Sequence, residues 1–491
     1  MNLIDCLKNN AERNPTKIGF IDEERSLTFN EMYEEVKKFS NIIKKIGPSG
    51  KVLSLISENS TSFVIAYLGI IDSFHDVHLI PTNISKTSFV NQVESTGSDM
   101  VFYSRMNEKL GILEGWDESI SLNSQSDSFH VETLEYSGKR DRQEEMILKT
   151  PTNVAYLIYT SGTTGEPKGV PVSHDMVEFT TKNIIDVLGY SETDVDVIPL
   201  PLYHSFGLGC LHTSIFAGST IVLLKNADNL ENILESVKKY NATSLAAVPA
   251  TLTKFLRLDR KILDNCLQGL RLIITNSTSI PKNTVKEIKG ILKGGNLATY
   301  YGLTEASRST FMIFNEDSNL HESVGKPAPG VNIKIDDEHK GESEFGEILV
   351  KGKNVIKQYW NNEKADKNME DGWLRTGDVG YFDDDGYLFL KGRNDEVINI
   401  GGEKIVPQDI EQVVRQIPGV EDSAAFGIPH EVFGQTIKLV VKKAANSDLD
   451  KLVILTHCMN NLEKFKIPSK IEFVDSIPKN EYGKVKRSML K

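Results

Sequence analysis

Apolar residues follow two periods along this chain. Near the start, Leu3, Ile4 and Leu7 share a helical face, and Met32, Val36, Phe39, Ile42 and Ile43 recur at helical spacing across residues 30–45. A short hairpin-like piece at 18–22 lies between them, and Gly47-Pro48-Ser49-Gly50 ends the second helix. Compact apolar runs at 52–56, 78–80 and 100–103 predict strands, with helices between them at 61–71 and 87–96. Strand and helix alternate, which predicts parallel βαβ units. Residues 104–149 are polar and weakly patterned and read as surface connections. The alternation then resumes. It gives strands at 154–158 and 196–200, helices at 176–188 and 230–240, a helix end and strand within 215–224, and strands at 244–248 and 270–275.

From about Gly325 the texture changes. Short strands at 331–335 and 346–350, separated by turns, predict a small β-barrel or sheet. Residues 396–491 mix helices at 408–416 and 449–462 with strands at 423–427, 437–442 and 470–474, the pattern of a small α+β domain. The expected fold class is therefore α/β. A large N-terminal part combines several subdomains, with sheets, flanking helices and a small β-barrel, and a small α+β domain follows it.

At 491 residues the chain exceeds a single core, so two or three domains are expected. The net charge of -12 disfavours nucleic acid or an anionic membrane as partner, so an anionic ligand has to be held by local groups. Cys6, Cys210, Cys266 and Cys458 are scattered, which fits core fillers in a reducing interior better than disulfides or metal ligands. The most apolar run, 63–71, is much shorter than a membrane span. No signal peptide is evident at the start, and the final residues form neither a lipidation nor a peroxisomal signal, so the expected location is the cytoplasm.

The stretch Tyr159-Thr160-Ser161-Gly162-Thr163-Thr164-Gly165-Glu166-Pro167-Lys168-Gly169 replaces bulk with glycine and hydroxyl. Glycines let backbone come close to a ligand, hydroxyls and amides can surround anionic oxygens, and Lys168 adds a point charge. It is a candidate phosphate loop. It lacks the closing Gly-Lys-Ser/Thr of the P-loop NTPases, so that reading fails at the spacing. Further stretches stand out in order: Tyr300-Tyr301-Gly302-Leu303-Thr304-Glu305, Gly372-Trp373-Leu374-Arg375-Thr376-Gly377-Asp378, Lys391-Gly392-Arg393-Asn394-Asp395 running on to Gly401-Gly402-Glu403-Lys404, and Pro478-Lys479-Asn480-Glu481-Tyr482-Gly483-Lys484.

Together these motifs resemble the adenylate-forming superfamily of acyl- and aryl-CoA synthetases, nonribosomal-peptide adenylation domains and beetle luciferases. The resemblance extends from residue 26 to Lys484. It implies an N-terminal AMP-binding domain at 1–394 and a mobile C-terminal domain at 395–491. It also implies activation of a carboxylic acid by ATP to an acyl-adenylate, with loss of pyrophosphate and transfer to a thiol. By that resemblance the loop Thr160, Ser161, Gly162, Thr163, Thr164, Gly165 and Lys168 covers the β- and γ-phosphates. Thr304 touches the α-phosphate, Glu305 holds Mg²⁺, Tyr301 stacks on adenine, and Asp378 takes the ribose hydroxyls with Arg393 nearby. Lys484 is the catalytic lysine, Asp395 the hinge, Gly402 the lining of the thiol channel, and His204 a gate between acid pocket and channel.

This chain departs from the family pattern at Asn276-Ser277-Thr278-Ser279, where a glycine- and alanine-rich turn is usual, which suggests a more polar acid pocket. Asn480 and Tyr482 also stand where threonine and serine are usual. Arg308 reads first as a structural salt bridge and second as a partner for a polar or anionic substrate. Retention of Lys168, Glu305, Asp378 and Lys484 argues against a non-catalytic relative. The resemblance disfavours an amino-acid substrate, because no aspartate lies between Tyr203 and His212. It favours an open thiol channel, because residues 381–395 carry no insertion. The expected enzyme is a free-standing acyl-CoA synthetase using ATP, Mg²⁺ and coenzyme A, monomeric or homodimeric. The alternative is an adenylating enzyme that loads the phosphopantetheine of an acyl carrier protein.

Overall fold

The amphipathic segments fold as their spacing dictates in this computed structural model. It describes residues 2–46, 49–98, 100–103, 130–133, 153–161, 167–276, 280–314, 320, 322–336, 345–400, 403–431, 433–445, 447–479 and 485–490. The helix Leu3–Arg13 buries Leu3, Cys6, Leu7 and Ala11 and is closed by a reciprocal cap between Asn2 and Asp5. The helix Thr61–Asp72 is apolar on every side, and all of Thr61 to Ile71 are buried, as a central helix must be.

The described residues form two compact units. The first comprises Met1–His321, Pro327–Asn332 and Lys351–Leu374. It carries two sheets. One has the order His130–Thr133, Met100–Tyr103, Val52–Ile56, Asp76–Leu79, Val154–Ser161, Pro167–Ser173, parallel at its centre and antiparallel at both edges. The other runs Thr310–Phe314, Asn296–Thr299, Leu272–Thr275, Ser244–Ala246, Val195–Ile198, Thr220–Leu223, Ile18–Ile21, Ser26–Thr28. Its six inner strands are parallel, and it too ends in antiparallel pairs. Strands such as Leu272–Thr275 are buried along their length, as parallel strands covered on both faces are.

Three sequence readings change. Residues 130–133, read within a surface connection, form an edge strand. The ends of the stretch read as the phosphate loop are paired strand, with Thr160 opposite Lys168 and Ser161 opposite Pro167, so Val154–Ser161 and Pro167–Ser173 are the arms of a β-hairpin. The helix whose end was read near residue 215 starts earlier and runs Ser205–Ala217.

The second unit comprises Glu322–Lys326, Ile333–Val350 and Arg375–Lys491. It includes a five-stranded array ordered Val331–Ile335, Gly346–Gly352, Trp373–Phe382, Leu388–Arg393, Ser323–Pro327. A further sheet is ordered Glu403–Ile405, Ile398–Ile400, Gly434–Lys443, Val420–His430, with Lys470–Phe473 parallel to Gly434–Lys443. Ile410 and Val414 from the helix Pro407–Val414, and Ile454 and Cys458 from Lys451–Asn461, pack on Ile398, Leu439 and Val441 as one core. The molecule is thus mixed α/β with a small C-terminal α+β part.

Candidate functional site

The hairpin that bears the phosphate-loop sequence is anchored by a close backbone approach. Gly169 accepts a hydrogen bond from the Trp360 amide at 2.9 Å, and a Cβ on Gly169 would lie 2.9 Å from the Trp360 Cβ. Glycine is required there by space. Next to it, the Lys168 ammonium lies 5.5 Å from the centroid of the Tyr359 ring. The Tyr359 hydroxyl donates to Glu305 Oε1 at 3.3 Å. Burial, reinforced by the Glu305 carboxylate, holds the Tyr359 phenol above its ordinary pKa, so it stays a donor. One aromatic side chain therefore connects the loop's cation to the carboxylate of a motif far along the chain.

Thr304 and Glu305 occupy a tight turn, closed because Leu303 and Ala306 exchange hydrogen bonds of 3.1 and 3.2 Å. The Glu305 carbonyl accepts from the Ile356 amide at 2.9 Å, and Ala306 bridges Val355. The turn is thereby fixed in depth while both side chains stay half-buried. Tyr301 is buried, its amide donating to Thr310 Oγ1 at 3.1 Å.

Asn59 positions the other side of the site. It is buried, donates to the carbonyls of Leu200 (2.7 Å) and Leu224 (3.0 Å), and accepts from the Leu202 amide (2.9 Å). That stitch sets the approach to His204, which caps the helix Ser205–Ala217 and is half-exposed, so it is not a core histidine. From the same helix, the carbonyl of Ser205 accepts from Arg308 Nη2 at 3.1 Å. The Arg308 guanidinium lies over the Tyr300 ring at 4.9 Å, and the Asn276 side chain is hydrogen-bonded to the Tyr300 hydroxyl. Asn276 and Arg308, scattered in sequence, thus meet at Tyr300, against which Phe206, two residues beyond His204, packs edge-on at 5.5 Å. Among the described residues no aspartate or glutamate pairs with Arg308, so the salt bridge expected first from the sequence is not found there. The neighbouring positions fill with aromatic and hydroxyl groups.

In the second unit Asp378 Oδ1 accepts from Arg393 Nη1 at 2.9 Å, and Asp395 lies 3.6 Å from Arg393 Nε. Gly377 has φ +71°, and a Cβ there would press on Arg393 Nη2 at 2.7 Å, so glycine fits on both counts. Asp395 is exposed in the short 3₁₀ turn Asn394–Glu396. Gly162, Thr163, Thr164, Gly165, Ser277, Gly402 and Lys484 lie outside the described residues, as does the Ser161 side chain.

Magnesium fits the groups present. It usually takes one or two carboxylates and leaves its other positions to phosphate and water, and the half-buried Glu305, held by a phenol, offers one carboxylate beside the hairpin lysine. Among the described residues no cluster of three or more His, Cys, Asp or Glu could form an all-protein metal site. Sequence reading missed Tyr359, Trp360, Tyr300 and Asn59. The adjacent aromatics Tyr359-Trp360 in an otherwise polar stretch were the available signal.

Comparison with known proteins adds to the geometry. The family described as AMP-binding enzyme matches residues 7–360, and its C-terminal domain matches residues 409–484. The 2-succinylbenzoate–CoA ligase of Bacillus licheniformis is 31% identical over 491 residues, covering 99% of this chain and 98% of that protein. The oxalate–CoA ligase of Arabidopsis thaliana is 30% identical over 505 residues, covering 99% and 98%. The o-succinylbenzoate CoA synthetase of Bacillus subtilis, solved with its acyl-adenylate intermediate, superimposes with a TM-score of 0.82 at 26% identity, covering 99% and 97%. The same enzyme solved with ATP and a magnesium ion gives 0.80 at 26% identity, covering 99% and 98%.

Proposed function

The chain belongs to the AMP-binding enzyme family, and from that premise we infer that it is an AMP-forming acid–thiol ligase. It uses ATP and magnesium to turn a carboxylic acid into an acyl-adenylate and then passes the acyl group to coenzyme A. The observation that carries this reading is the Lys168–Tyr359–Glu305 contact, which joins the loop cation and the motif carboxylate at one place.

A carboxylate oxygen of the acid attacks the α-phosphorus of ATP, and the bond to pyrophosphate breaks. The charge that moves onto the departing phosphates needs fixed donors and cations more than covalent help. Lys168 and the hairpin residues Thr160, Ser161, Gly162, Thr163, Thr164 and Gly165 hold the departing pyrophosphate, and Thr304 holds the α-phosphate. Magnesium on Glu305 supplies Lewis-acid neutralisation of the phosphate oxygens. Tyr301 stacks on adenine. Asp378, oriented by Arg393, accepts from the ribose hydroxyls. Lys484 offsets charge at the reacting carboxylate. In the second step the thiolate sulfur attacks the acyl carbon and AMP leaves. Rotation at Asp395 separates the two steps, Gly402 lines the thiol's path, and His204 gates it. His204, Asn276, Ser277 and Arg308 line the acid pocket.

The full-length relatives named as CoA ligases favour coenzyme A over a carrier protein as acceptor. Trapping with hydroxylamine across a panel of carboxylates, then coenzyme A against a phosphopantetheinyl carrier, tests the reading. Hydroxamate from at least one acid and thioester with coenzyme A are expected. No hydroxamate from any acid would sink it.

A further inference from the structure

We propose that Arg308 binds a second carboxylate on the substrate, so that the acid activated here is a dicarboxylate. This rests on the reading that the acid is activated beside Thr304 and Glu305. Arg308 is 4% exposed. Its Nη1 donates to Ser307 Oγ at 2.5 Å, and its Nη2 reaches the carbonyls of Ser205 at 3.1 Å and Phe206 at 3.4 Å. Among the described residues its Nε has no hydrogen-bond partner, and every partner of its other nitrogens is neutral. A buried cation held by neutral groups alone is costly, whereas a carboxylate matches the guanidinium fork in both geometry and charge.

Among the described residues most other covered guanidinium groups meet a carboxylate, while the half-buried Arg25 is held by the hydroxyls of Thr61 and Ser62. Arg271 meets Asp194 at 2.6 Å, Arg375 meets Asp336 and Glu347 at 2.6 and 2.8 Å, and Arg487 meets Glu411 and Glu396 at 2.6 and 2.7 Å. Arg308 is the most deeply buried of these and meets no described carboxylate, and it lies four residues beyond Thr304.

The backbone is shaped to hold it there. Arg308 adopts φ +53°, a left-handed conformation that a side-chain-bearing residue takes only when its surroundings enforce it. The helix Ser205–Ala217 leaves a notch at Gly209, where a Cβ would lie 1.9 Å from Arg308 Nη2. Among the described residues no titratable neighbour balances the charge. Burial, aided by the Arg308 charge, lowers His212 to about 3, and burial raises Tyr156 to about 12 against the pull of Arg308, so both are neutral near pH 7. The guanidinium is left for an anion brought by the ligand, and the half-exposed His204 and Asn276 beside it bound the region the acid occupies.

The test measures acid-dependent AMP release by the full chain. Its substrates are straight α,ω-dicarboxylates of graded length, each compared with its monomethyl ester and with the monocarboxylate of equal length. The expected result is a kcat/KM for the best diacid roughly 10²–10⁴-fold above its half-ester, because a site built for a polar group rejects the analogue that lacks it. Arg308→Met should lower the diacid value by a similar factor, mostly through KM for the acid with KM for ATP held, and Arg308→Lys should recover part of it. A wild-type enzyme that takes monocarboxylates as well as diacids overturns the proposal, and needs no variant to do so. So does a folded Arg308→Met enzyme that keeps its diacid preference. AMP from monocarboxylates alone removes this inference and leaves the ligase reading standing. No AMP from any acid removes both.

Discussion

Lys168 and Glu305 are brought to the same aromatic ring by chain segments that are far apart, and that contact has a direct consequence for ATP use. Replacing Lys168 with Met removes the point charge offered to the phosphates while keeping the stem. Adenylation should fall by roughly 10²-fold, with the loss in kcat as well as in KM for ATP, since the charge being met grows in the transition state. A change confined to KM for the acid would contradict that role. A second residue-scale consequence concerns pH. Asp196 is buried beneath Ser214, Ser219 and Ser244, and burial raises its carboxyl to about 6 from an ordinary 3.8. Between those values the folded chain keeps a proton that the unfolded chain has released. Stability from this group is therefore present at low pH and lost as pH rises through about 6. Compared with Asp196→Asn, the wild-type chain should lose urea resistance between pH 4 and pH 7; a gain over that interval would contradict the assignment.

At the scale of elements, a buried ionic junction ties several parts of the C-terminal unit together. Arg487, 7% exposed, joins Glu411 of the helix Pro407–Val414, Glu396 of the turn next to Asp395 and the carbonyl of Ala425. Arg487→Met takes from the buried Glu411 its nearest cation, leaving it Arg415 at 3.2 Å, and unpairs the half-buried Glu396, and should destabilise the protein by about 3 kcal/mol in chemical denaturation. A cost near zero would mean the junction is dispensable. This junction also marks the limit of what was legible beforehand. Helices and buried strands could be read because their period repeats within a single segment, as for Met32, Val36, Phe39 and Ile43. The edge strand His130–Thr133 is short and paired on one side, so it left no such trace. Asn59 with Leu200, Tyr359 with Glu305, and Arg487 with Glu396 join residues tens to hundreds of positions apart, and no periodicity encodes them. Glu305, Asp378 and Arg393 were legible as positions of interest because they lie in motifs that resemble the adenylate-forming family, and the structure pairs the last two at 2.9 Å. The loss of an acid partner for Arg308 was not, since the sequence is rich in carboxylates and only the fold decides which ones come near.

For the whole molecule, the account divides one reaction into two steps with different residue demands. Lys484→Ala should suppress adenylate formation by roughly 10²–10³-fold and leave thioester formation from supplied acyl-adenylate nearly intact. Equal loss of both steps would refute the role given to that lysine. Asp395→Pro, by fixing φ at an exposed turn, should spare adenylation and slow thiol transfer at least about 10-fold. Unchanged transfer would count against rotation there. Among the described residues no helix is long and apolar enough to cross a membrane. The central claim, that ATP is cleaved at its α-phosphate by a carboxylate, is tested most directly by the exchange of labelled pyrophosphate into ATP with acid present and coenzyme A withheld. The account predicts exchange that depends on the acid and on magnesium and that yields AMP, never ADP, once coenzyme A is added. ADP as product, or no exchange with any acid of the panel, would contradict it.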